Sequence, residues 1–324
     1  MEATKPEASV ESRSKNPEAA PTVAQRRLGK TGVMVSMIGL GGFHLAEKLG
    51  EEQAITLIRR AIDSGITFLD NCWDYNEGKS ERFMGRALAD GYRERVFLMT
   101  KLDGRTKSAA SAQLAQSLER LRTEKIDLVQ IHEVIRAEDP ERCFARGGVM
   151  EALLEAQKAG VVRFIGFTGH KDPEMHLAML AAARKHKVSF DAVQMPLNVF
   201  DAHYRSFEQK VLPQLVADGI AVLGMKSMGG GDILKSGVVT PEECLRYALS
   251  LPTSVVISGM DSMEVLEKNL DVVRTFAPLT NEERRALLER TRPAAKDGEH
   301  ELFKTSAKYD GTARNPHWLE EARL

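Results

Sequence analysis

Short apolar runs alternate with stretches of helical period along most of the chain. Residues 35–40, 67–70, 96–100, 128–132, 164–168, 192–195, 221–225 and 254–258 are such runs, and they predict eight strands. Between them, Ala54, Leu57, Ile58, Ala61 and Ile62 share one helical face. Leu114, Leu118 and Leu121 share another, as do Leu177, Leu180 and Ala181. Helix starts are signalled by Ser80 before Phe83, by Asp172-Pro173, and by Thr240-Pro241 followed by Glu242 and Glu243. Eight strand–helix repeats in roughly 270 residues is the count of a parallel (β/α)8 TIM barrel, an α/β fold. The rival is a doubly wound open sheet, which would carry G-x-G-x-x-G after its first strand if it bound a dinucleotide. Gly39-Leu40-Gly41-Gly42-Phe43 lacks that spacing. Residues 26–35, with Gly29 and Gly32 as turn residues, predict an N-terminal β-hairpin before the first barrel strand.

The two ends differ from the middle. Residues 1–24 contain no Leu, Ile, Phe, Trp or Tyr, so they cannot bury enough apolar area to offset their ordering, and a disordered extension is expected. No apolar stretch follows the first charges, so a signal peptide is not expected here. Residues 293–324 are irregular and polar yet hold Phe303, Tyr309 and Trp318; a C-terminal extension packing back on the body, formed by 25–292, is expected.

Charge narrows the function. Lys plus Arg is 45 against 46 Asp plus Glu, so nothing draws this chain to phosphate backbones or acidic lipids, and nucleic acid is not an expected partner. No apolar run is long enough to span a membrane. Cys72, Cys143 and Cys244 form no C-x-x-C pair, which argues against a disulfide scaffold and iron–sulfur sites and for a reducing, cytoplasmic setting.

In such a barrel, chemistry sits where strands end. Strand two closes at Asp70, with Tyr75 five residues on; strand three closes at Lys101, strand four at His132, and strand six carries Gln194. Each alone could mark only where a strand meets water. Four ionisable groups on three successive strands, about 5 Å apart, converge on one patch. A phenol of reference pKa about 10 is a poor proton donor, and a nearby ammonium lowers that pKa. Lys101 supplies the cation, Asp70 holds it, and His132 donates to an oxygen near Tyr75. The group suits polarising and protonating a carbonyl. It lacks a strong nucleophile, and no metal cage is evident.

These residues resemble the aldo-keto reductase superfamily, bacterial branch, over residues 25–276. The opening Arg27-Leu28-Gly29-Lys30-Thr31-Gly32, Leu69-Asp70-Asn71-Cys72-Trp73-Asp74-Tyr75, Gly78-Lys79-Ser80-Glu81, Met99-Thr100-Lys101 and Leu128-Val129-Gln130-Ile131-His132 carry the resemblance in order. It implies a barrel that binds NADPH or NADH and transfers hydride to a small-molecule carbonyl substrate. It casts Tyr75 as general acid, tuned by Lys101 and Asp70, with His132 orienting the carbonyl. For the cofactor it implies Gly42, Thr168, Gln194, Met225, Lys226, Ser258, Gly259, Met260 and Asn269.

Several of these positions depart from the pattern. Gly169 stands where many members have Asn, Met225 where an aromatic often stacks, and Val265 where many NADPH users have Arg, with Asp261 and Glu264 close by and Lys268 near. Weak NADPH preference or none is expected. Gly229-Gly230-Gly231 either cradles a pyrophosphate or connects. Phe43 and Trp73 are expected to line an apolar substrate pocket, and Cys72 to be a packed thiol. His170, His176, His186 and His203 share no spacing and are expected at the surface; the charged loop 133–146 is expected to cover substrate. Two other functions fit the same residues: a nucleotide-sensing protein like the potassium-channel beta subunits, and a Schiff-base aldolase with Lys101 as nucleophile, against which Thr168, Gln194 and Ser258-Gly259 argue. Oligomeric state is left open.

Overall fold

The computed structural model describes residues 23–320. The expected disordered segment therefore lies outside the described residues over positions 1–22. Eight parallel strands close into a barrel: β3 (Ile38–Gly41), β4 (Phe68–Asp70), β5 (Phe97–Leu102), β6 (Ile126–Ile131), β7 (Val162–Thr168), β8 (Ala192–Pro196), β9 (Ala221–Met225) and β10 (Val255–Gly259), with β10 returning to β3. Ahead of them, β1 (Gln25–Arg27) and β2 (Met34–Ser36) pair antiparallel as the expected hairpin.

The apolar run 35–40 is thus split between hairpin and barrel. Ser36 is the reason: its hydroxyl donates to Ile38 O at 2.6 Å and accepts from Thr67 N at 2.9 Å, turning the chain from one sheet into the other. The hairpin plugs the amino end of the barrel. Leu28 and Val35 pack with Phe68, Phe97, Met99, Leu128, Ala192, Ala221 and Leu223, which face inward at every second position. Gly29 sits at φ +51°, and a Cβ there would lie 2.5 Å from Ala221 N, so only glycine lets the plug seat this deeply.

Carried upward, the period of two makes Asp70, Lys101, Gln130 and Gln194 continue these inward columns. The same alternation that fills the floor with hydrocarbon fills the mouth with polar groups. Outside, Ala54, Leu57, Ile58, Ala61 and Ile62 are buried on the helix Glu51–Asp63. Thr240 and Glu243 form a reciprocal capping box, and Asp172 caps the helix Pro173–Lys185. Ser80 does not cap its helix, which starts at Lys79; its hydroxyl donates to Gly42 O at 2.8 Å instead. Among the described residues, no helix is long and apolar enough to cross a membrane.

Beyond the helix Asn281–Thr291 the chain returns across the carboxyl ends of the strands. Lys304, fully buried, donates to Asp201 at 2.6 Å and to Tyr204 O at 2.7 Å. Asp310 pairs with His170 at 3.0 Å and Lys171 at 2.8 Å. Trp318 meets Trp73 edge to face at 5.7 Å between centroids.

Candidate active site

Asp70, Tyr75, Lys101 and His132 meet at the barrel mouth. The Lys101 ammonium is 1% exposed and donates to Asp70 Oδ1, to Asn71 O at 2.7 Å and to Tyr75 Oη at 3.1 Å. Tyr75 stands edge-on to His132 and to Phe43, at centroid distances of 6.0 and 5.3 Å. The turn that holds it is built from consecutive left-handed residues, Asn76, Glu77 and Gly78. Asn76 Nδ2 donates to Phe43 O at 2.8 Å, and a Cβ at Gly78 would lie 2.6 Å from the Arg120 guanidinium.

The electrostatics reverse one expectation. The Tyr75 phenol is held well above its ordinary value, first by burial and then by Asp70, Cys72, Asp74 and Glu133. Lys101 does not acidify it in this state because Asp70 neutralises that ammonium at contact. The resting phenol is therefore protonated, with the Lys101 ammonium 3.1 Å from its oxygen.

His132 is 9% exposed, and its Nδ1 faces a cluster that sequence reading did not foresee. Asp103 Oδ1 lies 2.8 Å from Nδ1, Cys72 Sγ 3.3 Å and Asp74 Oδ1 3.8 Å. One side-chain N, S or O atom from each of Cys72, Asp74, Asp103 and His132 lies within 4.8 Å of the other three, a grouping not evident in the sequence. Burial, with Asp103 close by, pushes Asp74 up to about 7. The Cys72 thiol is pushed well up by burial, as fits a packed side chain. Asp103 follows the end of β5, a position the strand-end criterion could have flagged.

The other predicted positions scatter around the mouth. Gln194 Nε2 donates to Asp70 Oδ2 at 2.9 Å, while its Oε1 is buried without a partner. Thr168 is adjacent in the β7–β8 register and 2% exposed. Gly169 cannot be Asn here, since a Cβ would lie 2.4 Å from Val134 O. Gly42 N donates to Asp70 O at 2.8 Å, and a Cβ on Gly42 would lie 2.7 Å from the Ser80 hydroxyl.

Met225 ends β9 half-buried, and Lys226 follows in a left-handed conformation with Nζ 4.5 Å over the Tyr309 ring. Burial, opposed in part by Glu133, lowers the Lys226 ammonium to about 8. Gly229, Gly230 and Gly231 all have positive φ, and a Cβ on Gly230 would lie 2.5 Å from the Tyr309 hydroxyl. Asn269 Nδ2 donates to Ser258 Oγ at 3.0 Å; Gly259 abuts His44, and Met260 is fully buried. Phe43, 40% exposed, borders the opening. Trp73 is fully buried, its Nε1 donating to Gln116 at 2.7 Å and its ring facing Trp318.

The surface expectation for the histidines fails for two. His176 is fully buried between Phe167 and Phe207, and His170, 4% exposed, is clamped by Asp310. The loop after β6 is likewise not a free cover. Glu133, at its start, accepts from Gly311 N and Thr312 N at 2.8 Å each and from the Thr312 hydroxyl at 2.6 Å.

Tyr75, Lys101, Asp70 and His132 are thus gathered at the carboxyl-end mouth of a closed parallel barrel. A family model described as the Aldo/keto reductase family matches residues 37–243, most of the barrel, and the chain belongs to that family. Among curated relatives, it is 31% identical over 230 residues to aldo-keto reductase YhdN of Bacillus subtilis, covering 66% of this chain and 64% of that one. It is 27% identical over 257 residues to aldo-keto reductase AFTS1 of Alternaria alternata, covering 67% and 68% respectively. The match thus spans just under two thirds of the first relative's length. Among solved structures, the fold is that of aldo-keto reductase AKR11C1 from Bacillus halodurans in its holo form, with TM-score 0.69 and 22% identity over 86% of this chain and 99% of that one.

Proposed function

We propose that this chain reduces an aldehyde or ketone to an alcohol with NADPH or NADH, Tyr75 acting as general acid. The carrying observation is that one buried ammonium, Lys101, donates both to Asp70 and to the Tyr75 hydroxyl. A reduced nicotinamide supplies hydride when bound. The residues present fit it: the partnerless Gln194 Oε1 is an acceptor for a carboxamide N–H, and Lys226, half-buried before the left-handed glycines, offers charge to a pyrophosphate. Thr168, Ser258 and Asn269 line the same route.

As negative charge develops on the carbonyl oxygen, Tyr75 releases its proton to it, and Lys101 stabilises the phenolate at 3.1 Å. Asp70 keeps Lys101 in place, and His132 donates to the same oxygen. Phe43 forms an apolar edge to the substrate opening, with Trp73 behind it. Residues 25–292 are assigned to the reducing barrel and 293–324 to the C-terminal extension, of which the described residues 293–320 lie over it. Purified protein is mixed with NADPH or NADH and a panel of aldehydes and ketones, and coenzyme oxidation is followed. Steady turnover with at least one carbonyl is expected. Tight coenzyme binding with no turnover on any of them would refute the reading in favour of a nucleotide-sensing role.

A further inference from the structure

We propose that Asp103 is a positioning residue that keeps a proton on Nε2 of His132, so that the imidazole faces a carbonyl as a donor. The inference rests on the reduction reading above and adds to it a residue and a pH limit. Three observations carry it. Asp103 is fully buried, and its carboxyl is bonded to His132 Nδ1 at 2.8 Å, while its Oδ2 has no hydrogen-bond partner. Among the described residues, His132 is the one ion-pair partner of this carboxyl. Both ends of this bond are also fixed by one side chain. The fully buried Arg105 donates to Asp103 O at 2.8 Å and to His132 O at 2.6 Å, and is itself held by Asp139 at 2.9 Å. Lastly, Gln113 Oε1 accepts from Asp103 N at 2.9 Å and Gly104 N at 2.7 Å, fixing the turn that presents the carboxyl.

Proton counting gives the consequence. The Asp103–His132 pair holds either two protons or one. With two, as carboxylic acid with neutral imidazole or as carboxylate with imidazolium, Nε2 carries hydrogen and donates. With one, the carboxylate draws the remaining proton to Nδ1, and Nε2 becomes an acceptor that cannot serve a carbonyl oxygen. Burial favours the neutral two-proton form, holding Asp103 well up and His132 down. The charged and titratable groups facing the pair are Cys72 and Asp74 from the turn after β4, Lys101 from β5, Arg105 beyond it, and Glu133 and Arg136 beyond β6. The carboxylates among them favour retention of the second proton, and the three cations oppose it.

The test uses the full chain labelled with 15N-histidine, with His132→Gln identifying the His132 signals by difference. At neutral pH the wild type is expected to show protonated Nε2 and unprotonated Nδ1, giving way to protonated Nδ1 at alkaline pH. Asp103→Asn, whose amide N–H donates to Nδ1 and cannot ionise, should keep Nε2 protonated and move the alkaline fall in kcat to higher pH. Asp103→Leu should lose the single tautomer and lower kcat roughly tenfold to a hundredfold with KM for coenzyme unchanged.

Protonated Nδ1 at neutral pH, or an alkaline fall in Asp103→Asn identical to the wild type, would overturn the proposal. A zinc ion bound one per chain at Nδ1 would overturn it too, since metal rather than Asp103 would then fix the tautomer. If Nε2 proves protonated but no carbonyl is reduced, the proton assignment stands and the reduction reading fails.

Discussion

Replacing Glu133 by Gln isolates what holds the C-terminal segment over the barrel mouth. The carboxylate is 3% exposed and accepts three short bonds, two from the backbone N–H groups of Gly311 and Thr312 and one from the Thr312 hydroxyl. Gln offers one acceptor oxygen and turns an NH2 toward donors, so at least one charge-assisted bond is lost and a donor–donor contact replaces it. Hydrogen bonds to a charged group contribute about 1.5–3 kcal/mol each, and an orphaned buried donor costs a similar amount. The docked segment should therefore open more readily by roughly 3 kcal/mol, which is about a hundredfold faster exchange of its protected amides. Native-state hydrogen exchange reads this directly at Gly311 and Thr312, with the amides of β5 and β6 as internal controls. Unchanged exchange at Gly311 and Thr312, or equal acceleration across the barrel strands, would refute the assignment of Glu133 as the local latch. Acid should act in the same direction. Burial works to raise the Glu133 carboxyl, but the fields of His132 and His170 and the bonds from Thr312 outweigh it and hold the group below 4.5. Its contribution is thus present above about pH 4.5 and is lost as pH falls through the lower folded value, so the tail should loosen in acid before the barrel does.

The coenzyme end of the site yields two further expectations. Where a 2′-phosphate would seek cations, Lys268 is engaged by Glu264 at 2.6 Å, and Val265 offers no charge. NADPH should therefore bind no more than about tenfold tighter than NADH in fluorescence titrations; a hundredfold advantage for NADPH would defeat this. Lys226, lowered to about 8, is charged below that pH and neutral above it. Coenzyme affinity should fall as pH rises through 8, and Lys226→Met should bind weakly at pH 7 with that pH dependence removed; an unchanged profile in the variant would place the dependence elsewhere.

The barrel was legible because its signal is local. Residues 221–225 are apolar, bounded by turn residues, and form β9 over that span, and the strand-end rule led to Asp70, Lys101, His132 and Gln194. The split of the first run at Ser36 was not legible, since it depends on Thr67, 31 residues away. Nor was the burial of His170, whose partner Asp310 is 140 residues on. The raised Tyr75 phenol shows the same limit from another side. Residue types place an ammonium near a phenol, but whether the phenol becomes acidic depends on the sum of burial, Asp70, Asp74 and Glu133, which only the folded distances set. Asp103 is a different case, because Leu102-Asp103-Gly104-Arg105 already put a carboxylate at a strand end on the catalytic face.

Single-turnover reduction by Tyr75→Phe, with coenzyme affinity measured in parallel, bears most directly on the origin of the proton. The Phe ring keeps the contacts to Phe43 and His132 and removes only the hydroxyl that Lys101 contacts. The rate of carbonyl reduction should fall by roughly a thousandfold or more while the coenzyme dissociation constant stays within about twofold. A variant that reduces carbonyls at near the wild-type rate would contradict the account.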